Sequence, residues 1–292
     1  MLGRYLLAAL REDNDVTTLQ RHDADIICDL ASNVPDLRGR HFDLVVHAAG
    51  TTDDNAAVVT NYEGTRHLLE ALASDPPARL VLVSSWEVYS PESGEDVGEE
   101  HQKWASTKTG QSKALAEDLA AGWCREHGVL LTVVRPARMM GKGVGGEMLR
   151  MFNDVAYGRY IHVRDNDARL SLVCASDVAL AIKRLHSIGG IYNLTDGRGA
   201  RWIELADAMS ANLGAMKRQT HLPARWADLA WRYASWIPAV KASLSPATLA
   251  RRSTTLTLSD AAVRAALSDW KPYPVLEVIG RECEDYPYLD QF

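Results

Sequence analysis

The sequence predicts an α/β fold: a doubly wound parallel sheet with helices on both faces, followed by a smaller C-terminal lobe. Three observations lead there. Short β-branched runs alternate with longer helical patterns through the first half, as in DLVVH, then NAAVVTNYEGTRHLLEALA, then LVLV. The runs Leu80 to Val83 and Leu130 to Val134 are apolar or β-branched throughout, the pattern of strands buried on both faces. Past Gly141 the alternation gives way to glycine turns, a Met/Phe helix and a tryptophan-rich tail.

Taken in order, Gly3 to Arg11 reads as a helix, with Leu2, Leu6, Ala9 and Leu10 on one stripe. Asp15 to Gln20 and Asp43 to His47 read as strands. Asn55 to Ala73 is a long helix placing Val58, Asn61, Thr65, Leu68, Leu69 and Leu72 near one face. The strand Leu80 to Val83, the helix Thr107 to His127 and the strand Leu130 to Val134 follow. RLSLVCASDVALAI reads as a strand and then a helix opening at Ser176 or Asp177, whose side chains suit an N-cap. IYNLTDGRGARWIELADAMSANLG is a strand, a glycine turn and a helix. In the tail, ARWADLAWRYASWIPAVKASL spaces apolar residues by three and four. A helix lying on a bilayer has this look, but packing against neighbours in the lobe is the expectation.

A chain of 292 residues, 47% of them hydrophobic, can bury a full core. A net charge of −6 argues against a nucleic-acid partner, which would call for a basic face. No apolar run approaches the roughly 20 residues that span a bilayer. MLGRYLLAALRED lacks the features of a cleaved signal, so a cytoplasmic protein without membrane contact is expected. The four cysteines show no C-x-x-C spacing and read as reduced thiols, and the nine histidines include no H-E-x-x-H, so no metal site is expected.

VLVSSWEVYS, TGQSKALAED and LTVVRPARMMGKG, in this order and spacing, resemble the extended short-chain dehydrogenase/reductase family of the NAD-dependent epimerase/dehydratase type. The segments around IYNL and DWKPYPVLEVIGR are similar to further signatures of that family, so the resemblance covers nearly the whole chain. It implies a Rossmann-type sheet, with residues 1–140 and about 168–196 binding a dinucleotide. Residues about 141–167 and 197–292 would form the substrate lobe. It also implies NAD or NADP as cofactor and a sugar nucleotide or similar alcohol or carbonyl as small-molecule substrate, and it is compatible with a homodimer. In the family a strand and a G-x-x-G-x-x-G turn come first, whereas this sequence opens at the turn's last glycine, Gly3. Losing that central strand would leave buried backbone groups unpaired, so the expectation is a true start upstream of Met1.

Carried over position by position, the resemblance assigns Ser85 to orienting the substrate and Lys113 to the nicotinamide ribose. The family's catalytic tyrosine, four residues before that lysine, is replaced by Thr109. An aliphatic hydroxyl is a far weaker acid than a phenol and cannot exchange a proton usefully near pH 7. Glu87 matches the second member of the dehydratases' acidic pair, while Trp86 replaces the first; Glu87 is thus a candidate substrate contact and substitute base. Gly3 would lie under the pyrophosphate. Asp29 would bond the adenine amino group and Leu30 pack on its ring. Arg21 stands where NAD users place a carboxylate and could pair with a 2′-phosphate, a lean toward NADP. His47, Ala48, Ala49 and Gly50 would let the chain pass close under the cofactor. Asn61 would brace the sheet and Ser84 would bond strand-end backbone. Arg135 and Pro136 would flank the nicotinamide. Arg138 and Lys142 would meet a phosphorylated or nucleotide-linked substrate, a solvated role being equally open. Two functions remain: an NAD(P)-dependent oxidoreductase, epimerase or dehydratase, or a catalytically silent nucleotide-sensing or scaffold protein.

Overall fold

The computed structural model describes residues 1–89, 94–212 and 220–283. The first half carries α1 (Leu2–Leu10), β1 (Leu19–Gln20), β2 (Ile26–Ile27), β3 (Leu44–His47), α2 (Gly64–Leu72), β4 (Arg79–Val83), β5 (Gly94–Val97), α3 (Lys108–His127) and β6 (Leu130–Pro136). Then come β7 (Arg138–Met140), α4 (Gly146–Ala156), β8 (Ile161–Val163), β9 (Arg169–Leu170), β10 (Leu172–Cys174), α5 (Ala175–Leu185), β11 (Gly190–Leu194), β12 (Ala200–Arg201) and α6 (Trp202–Asn212). The tail adds β13 (Thr220–Leu222), α7 (Ala224–Ala234), α8 (Pro238–Leu244), α9 (Pro246–Arg252), β14 (Leu256–Leu258), α10 (Ala261–Ala266) and α11 (Val275–Cys283).

The apolar runs form a parallel sheet in the order β11–β6–β4–β3. β4 and β6 lie inside it, and Leu80 to Val83 are buried as their unbroken apolar pattern requires. β3 is an edge, and its Leu44, Val45 and Val46 are only half-buried. Beside it, β1 and β2 bond only to each other, although Leu19 and Ile26 share a cluster with Val45, Leu68 and Leu72. The strand expected from Asp15 therefore shrinks to two residues. Thr18 gives its N–H and its hydroxyl to the Asp25 carboxylate, both at 2.8 Å, rather than to a neighbouring strand.

Two helices depart from expectation in ways that matter for the site. Between Asn55 and Ala73 the chain is π-helical over Val58–Glu63 before α2 begins. The wider turn swings Val58 into solvent while keeping Asn61 buried. α5 opens at Ala175, not at Ser176 or Asp177. The Asp177 carboxylate instead accepts the N–H of Tyr273 at 2.8 Å and ties down the tail. α3 behaves as its sequence suggests. Thr107 caps it by accepting the Gly110 N–H, and Gly128, left-handed at φ 69°, ends it. A second apolar cluster gathers α4, α6 and α11 around Met151, Phe152 and Trp202. The sequence segment running to Gly214 and the side chain of Cys283 lie partly or wholly outside the described residues.

Candidate active site at the strand ends

β4 ends at Val83, and the chain then turns through Ser84, Ser85 and a 3-10 turn, Trp86–Tyr89. α3 lies against this turn because Gly110 has no side chain; a Cβ there would stand 2.3 Å from the Glu87 carbonyl oxygen. That contact brings Lys113 to the strand end, where its Nζ donates to the Val83 carbonyl at 2.8 Å. Gly50, after β3, closes in from the other side. A Cβ on it would meet Lys113 Nζ at 2.8 Å and Asn61 Oδ1 at 2.9 Å, so any larger residue would have to shift one of these side-chain ends. Asn61 accepts the Thr51 N–H (2.8 Å) and donates to the Thr51 carbonyl (3.1 Å) and Ser112 Oγ (3.0 Å). It thus locks the loop after β3 onto α3 and does not brace the sheet, a correction to the sequence reading. Burial brings Lys113 down to about 8 against the opposing pull of Glu117 and Glu87. Burial and then the Lys113 charge push His47 to about 3, so its imidazole is neutral; its Nε2 lies 3.0 Å from Thr65 Oγ1. Ala48 is half-buried, and Ala49 and Gly50 are exposed.

Ser85 Oγ accepts the Glu87 N–H at 3.2 Å, which leaves its own O–H to donate elsewhere. Thr107 donates to Glu87 Oε2 at 2.8 Å. Burial raises the Glu87 pKa, outweighing Thr107, Arg138 and Arg251. The buried Arg138 guanidinium lies 3.7 Å over the Trp86 ring and reaches Glu147 at 3.3 Å. Arg251 holds the other Glu147 oxygen at 3.2 Å. Burial lowers the Arg138 pKa. For Glu147 burial works upward, but Arg138 and Arg251 prevail and hold it below the usual carboxylate range. The Lys142 backbone N–H donates to the Tyr5 hydroxyl at 2.7 Å, fixing the glycine turn against α1.

Three assignments change. Thr109 is buried, and its N–H and hydroxyl both donate to Asp54 Oδ1, at 2.9 and 2.8 Å. These bonds, the backbone one first, hold the Asp54 pKa low against burial. Asp54 thereby caps the first turn of α3 from the loop after β3, and Thr109 anchors that loop. Arg135 turns inward: Nε and Nη2 grip Glu117 at 2.9 and 2.7 Å, and Nη1 donates to the Tyr89 hydroxyl (2.6 Å) and the Glu99 carbonyl (3.0 Å). With all three of its nitrogens bonded there and the side chain buried, its guanidinium does not flank a nicotinamide; Pro136 is buried in β6 beside it. The Ser84 hydroxyl donates to Glu117 rather than to backbone. Glu117 was detectable as the acid four residues after Lys113, and Asp54 as the DD turn ahead of a helix. Glu147 carries no local signal.

At the far end, Asp29 Oδ1 accepts the Ala31 N–H at 3.0 Å within its own turn. Leu30 is buried with Leu37, Leu68 and Leu72, so it is core and offers no shelf to an adenine ring. Arg21 is exposed in the turn between β1 and β2. Gly3 lies in the first turn of α1, lining an open cleft of about 740 Å³ with Val16 to Gln20 and Gly143. The Lys113 ammonium, facing a glycine at position 50 that carries no side chain, has the donor chemistry that would suit the hydroxyls of a nicotinamide ribose. Among the described residues no group of His, Cys, Asp or Glu is placed to hold a metal ion.

This sheet, with its functional side chains at the carboxyl ends of β3 and β4, is that of a dinucleotide-binding α/β protein. Residues 1–194 match the NAD dependent epimerase/dehydratase family, and the chain belongs to that family. Over 193 residues it is 23% identical to an N-acetyl-alpha-D-glucosaminyl-diphospho-ditrans,octacis-undecaprenol 4-epimerase of Escherichia coli O157:H7. That match covers 62% of this chain and 58% of the relative's length. Among solved structures, RMD from Pseudomonas aeruginosa complexed with NADPH superposes with a TM-score of 0.72 at 21% identity, covering 98% of this chain and 96% of that one. The UDP-N-acetylglucosamine 4-epimerase from Bacillus cereus superposes at 0.74 and 17% identity, covering 96% and 91%.

Proposed function

We propose that this chain is an NAD(P)-dependent epimerase or dehydratase acting on a sugar carried by a diphosphate, linked either to a nucleotide or to a polyprenol. The observation that carries the reading is the placement of Lys113, an ammonium held at the end of β4 by the Val83 carbonyl and facing Gly50 after β3. The relatives named for sugar nucleotides and for an undecaprenol-linked sugar support the substrate class. The Gly50–Lys113 cradle would hold the cofactor's ribose, and the open cleft beside Gly3 would take its far half. Bound there, a nicotinamide supplies reversible hydride exchange with a sugar carbon. Exposed Arg21, with no carboxylate in its place, favours NADP over NAD. Residues 1–140 and about 168–196 serve the dinucleotide, and the remainder serves the substrate.

The chain's own residues then divide the work. Ser85 donates its free O–H to the reacting sugar oxygen. Glu87, one turn away and costly to ionise, holds or takes the proton that a phenol at position 109 would otherwise carry. Arg138, buried on Glu147, shapes the wall behind Glu87, and Lys142, half-buried in the loop beyond it, would meet the diphosphate. A second reading, a silent nucleotide-binding protein, is favoured by one observation: the Thr109 hydroxyl is committed to Asp54.

The test is to incubate the chain with NAD or NADP and either UDP-N-acetylglucosamine or its undecaprenyl-diphosphate counterpart, following sugar protons by NMR. Formation of the C4 epimer or of a keto-deoxy sugar supports the enzyme. Tight cofactor binding with neither product from either donor would establish the silent reading instead.

A further inference from the structure

We propose that the outer face of α7 docks on an anionic lipid bilayer. α7 packs on the lobe with its small side: Ala227 is buried, and Ala230, Trp231 and Ala234 join Val240 and Leu244 of α8. The packing expected from sequence is therefore real but one-sided. The opposite face carries Trp226, Leu229 and Tyr233, spaced three and four apart, and Trp236 follows in the turn after the helix; these are 47%, 43%, 70% and 81% exposed. Four large apolar side chains along this stretch, three of them Trp or Tyr, form a patch that water disfavours. Tryptophan and tyrosine are the residues that settle at a membrane–water boundary.

Charge decides among occupants. From Pro223 to Ser253 the chain has five basic residues, Arg225, Arg232, Lys241, Arg251 and Arg252, and one acid, Asp228, although the whole protein carries −6. Arg225, Arg232 and Lys241 are exposed around the aromatic stripe. An apolar stripe rimmed by cations matches an anionic headgroup layer. A second copy of the chain would set the same cations against one another across a two-fold axis. The helix is also linked along the chain to the candidate site. α8 and α9 lead from α7 to Arg251, which holds Glu147 and through it Arg138 beside Glu87. The docking stands on the surface alone. Its use, offering the cleft to a diphosphate-linked sugar anchored in the same bilayer, rests on the function proposed above.

Vesicle flotation of the full chain tests this, because it needs neither cofactor nor turnover and so fails or succeeds independently of the enzymatic reading. Vesicles of phosphatidylcholine mixed with phosphatidylglycerol should carry the protein up the gradient, and pure phosphatidylcholine should carry at least about tenfold less. Two variants, one combining Trp226→Ser, Tyr233→Ser and Trp236→Ser and one combining Arg225→Glu and Arg232→Glu, should each lose on the order of tenfold in bound fraction. Trp104→Ser, which removes an exposed tryptophan elsewhere, should float like the parent. The arginine variant changes only exposed side chains, so it reports even if the aromatic variant misfolds. No flotation, equal flotation on neutral vesicles, or an unaffected arginine variant would each overturn the proposal. So would a dimer in solution that the aromatic variant dissociates, since a second copy would then cover the face.

Discussion

Two carboxylates stand near Lys113, the buried Glu117 on its own helix and the half-buried Glu87 in the turn against it, and their surroundings could hardly differ more. Glu117 accepts both arms of Arg135, takes the Ser84 hydroxyl and has Lys103 Nζ at 3.5 Å. Its charge is matched and its lone pairs are used. Glu87 has one side-chain donor, Thr107, while the nearby Arg138 and Arg251 are already committed to Glu147 and Lys113 is bonded to Val83. A carboxylate matched in this way is structural, because its counter-charge and its lone pairs are already taken. A carboxyl whose desolvation outweighs its counter-charges is harder to ionise, the direction in which an acid/base group is tuned. The difference separates the wall of the site from its chemistry.

The largest effect should come from breaking the wall. Glu117→Ala leaves the Arg135 guanidinium buried without its partner, and urea unfolding should show a loss of about 3–5 kcal/mol. Restoring an apolar match by changing Arg135 to Met in the same chain should recover much of it; no recovery would mean that the pair's other contacts dominate. Next comes Gly50→Ala, whose Cβ must displace Asn61 or Lys113. It should cost roughly 1–3 kcal/mol and weaken NADH or NADPH binding in fluorescence titration, whereas unchanged affinity would show that the cradle has slack. Asp54→Ala removes the external cap of α3 and should cost about 1 kcal/mol, readable as a lower thermal midpoint.

The smallest effect is a slope. The folded pKa of Glu87 lies above its ordinary value of 4.5. The folded state therefore binds more protons between the two values, and stability falls as pH rises from near 4.5 through the folded pKa. Glu87→Gln should lack that decline and be relatively more stable at neutral pH. A parallel pH–stability curve for parent and variant would place Glu87 in free contact with solvent.

The same contrast explains what could be read from the sequence. The sheet was legible because buried parallel strands leave unbroken apolar runs, as in LVLV, and α3 because Thr107 and Gly128 punctuate it. Ser85, Lys113 and Gly50 stood out only through the resemblance to the family, whose motifs they match in order and spacing. What stayed hidden were choices of partner made across the fold. Arg135 finds Glu117, Thr109 finds Asp54 fifty-five residues away, and Leu30 turns to α2 rather than outward. Nor could spacing show that a π-helical turn would release Val58 and keep Asn61, or that α7 would turn Ala227 and Trp231 inward and leave Trp226 and Tyr233 outside.

The central claim is that Glu87, not residue 109, handles the proton. It is tested most directly by kcat–pH profiles of the parent, Glu87→Gln and Thr109→Val on a substrate the parent converts. Glu87→Gln should lose on the order of 10²-fold or more in kcat and with it one ionisation of the parent profile, while Thr109→Val, which gives up only the side-chain bond to Asp54, should stay within about tenfold and keep the profile's shape. A Thr109→Val variant that loses the ionisation, or a Glu87→Gln variant that keeps both rate and profile, would contradict the account.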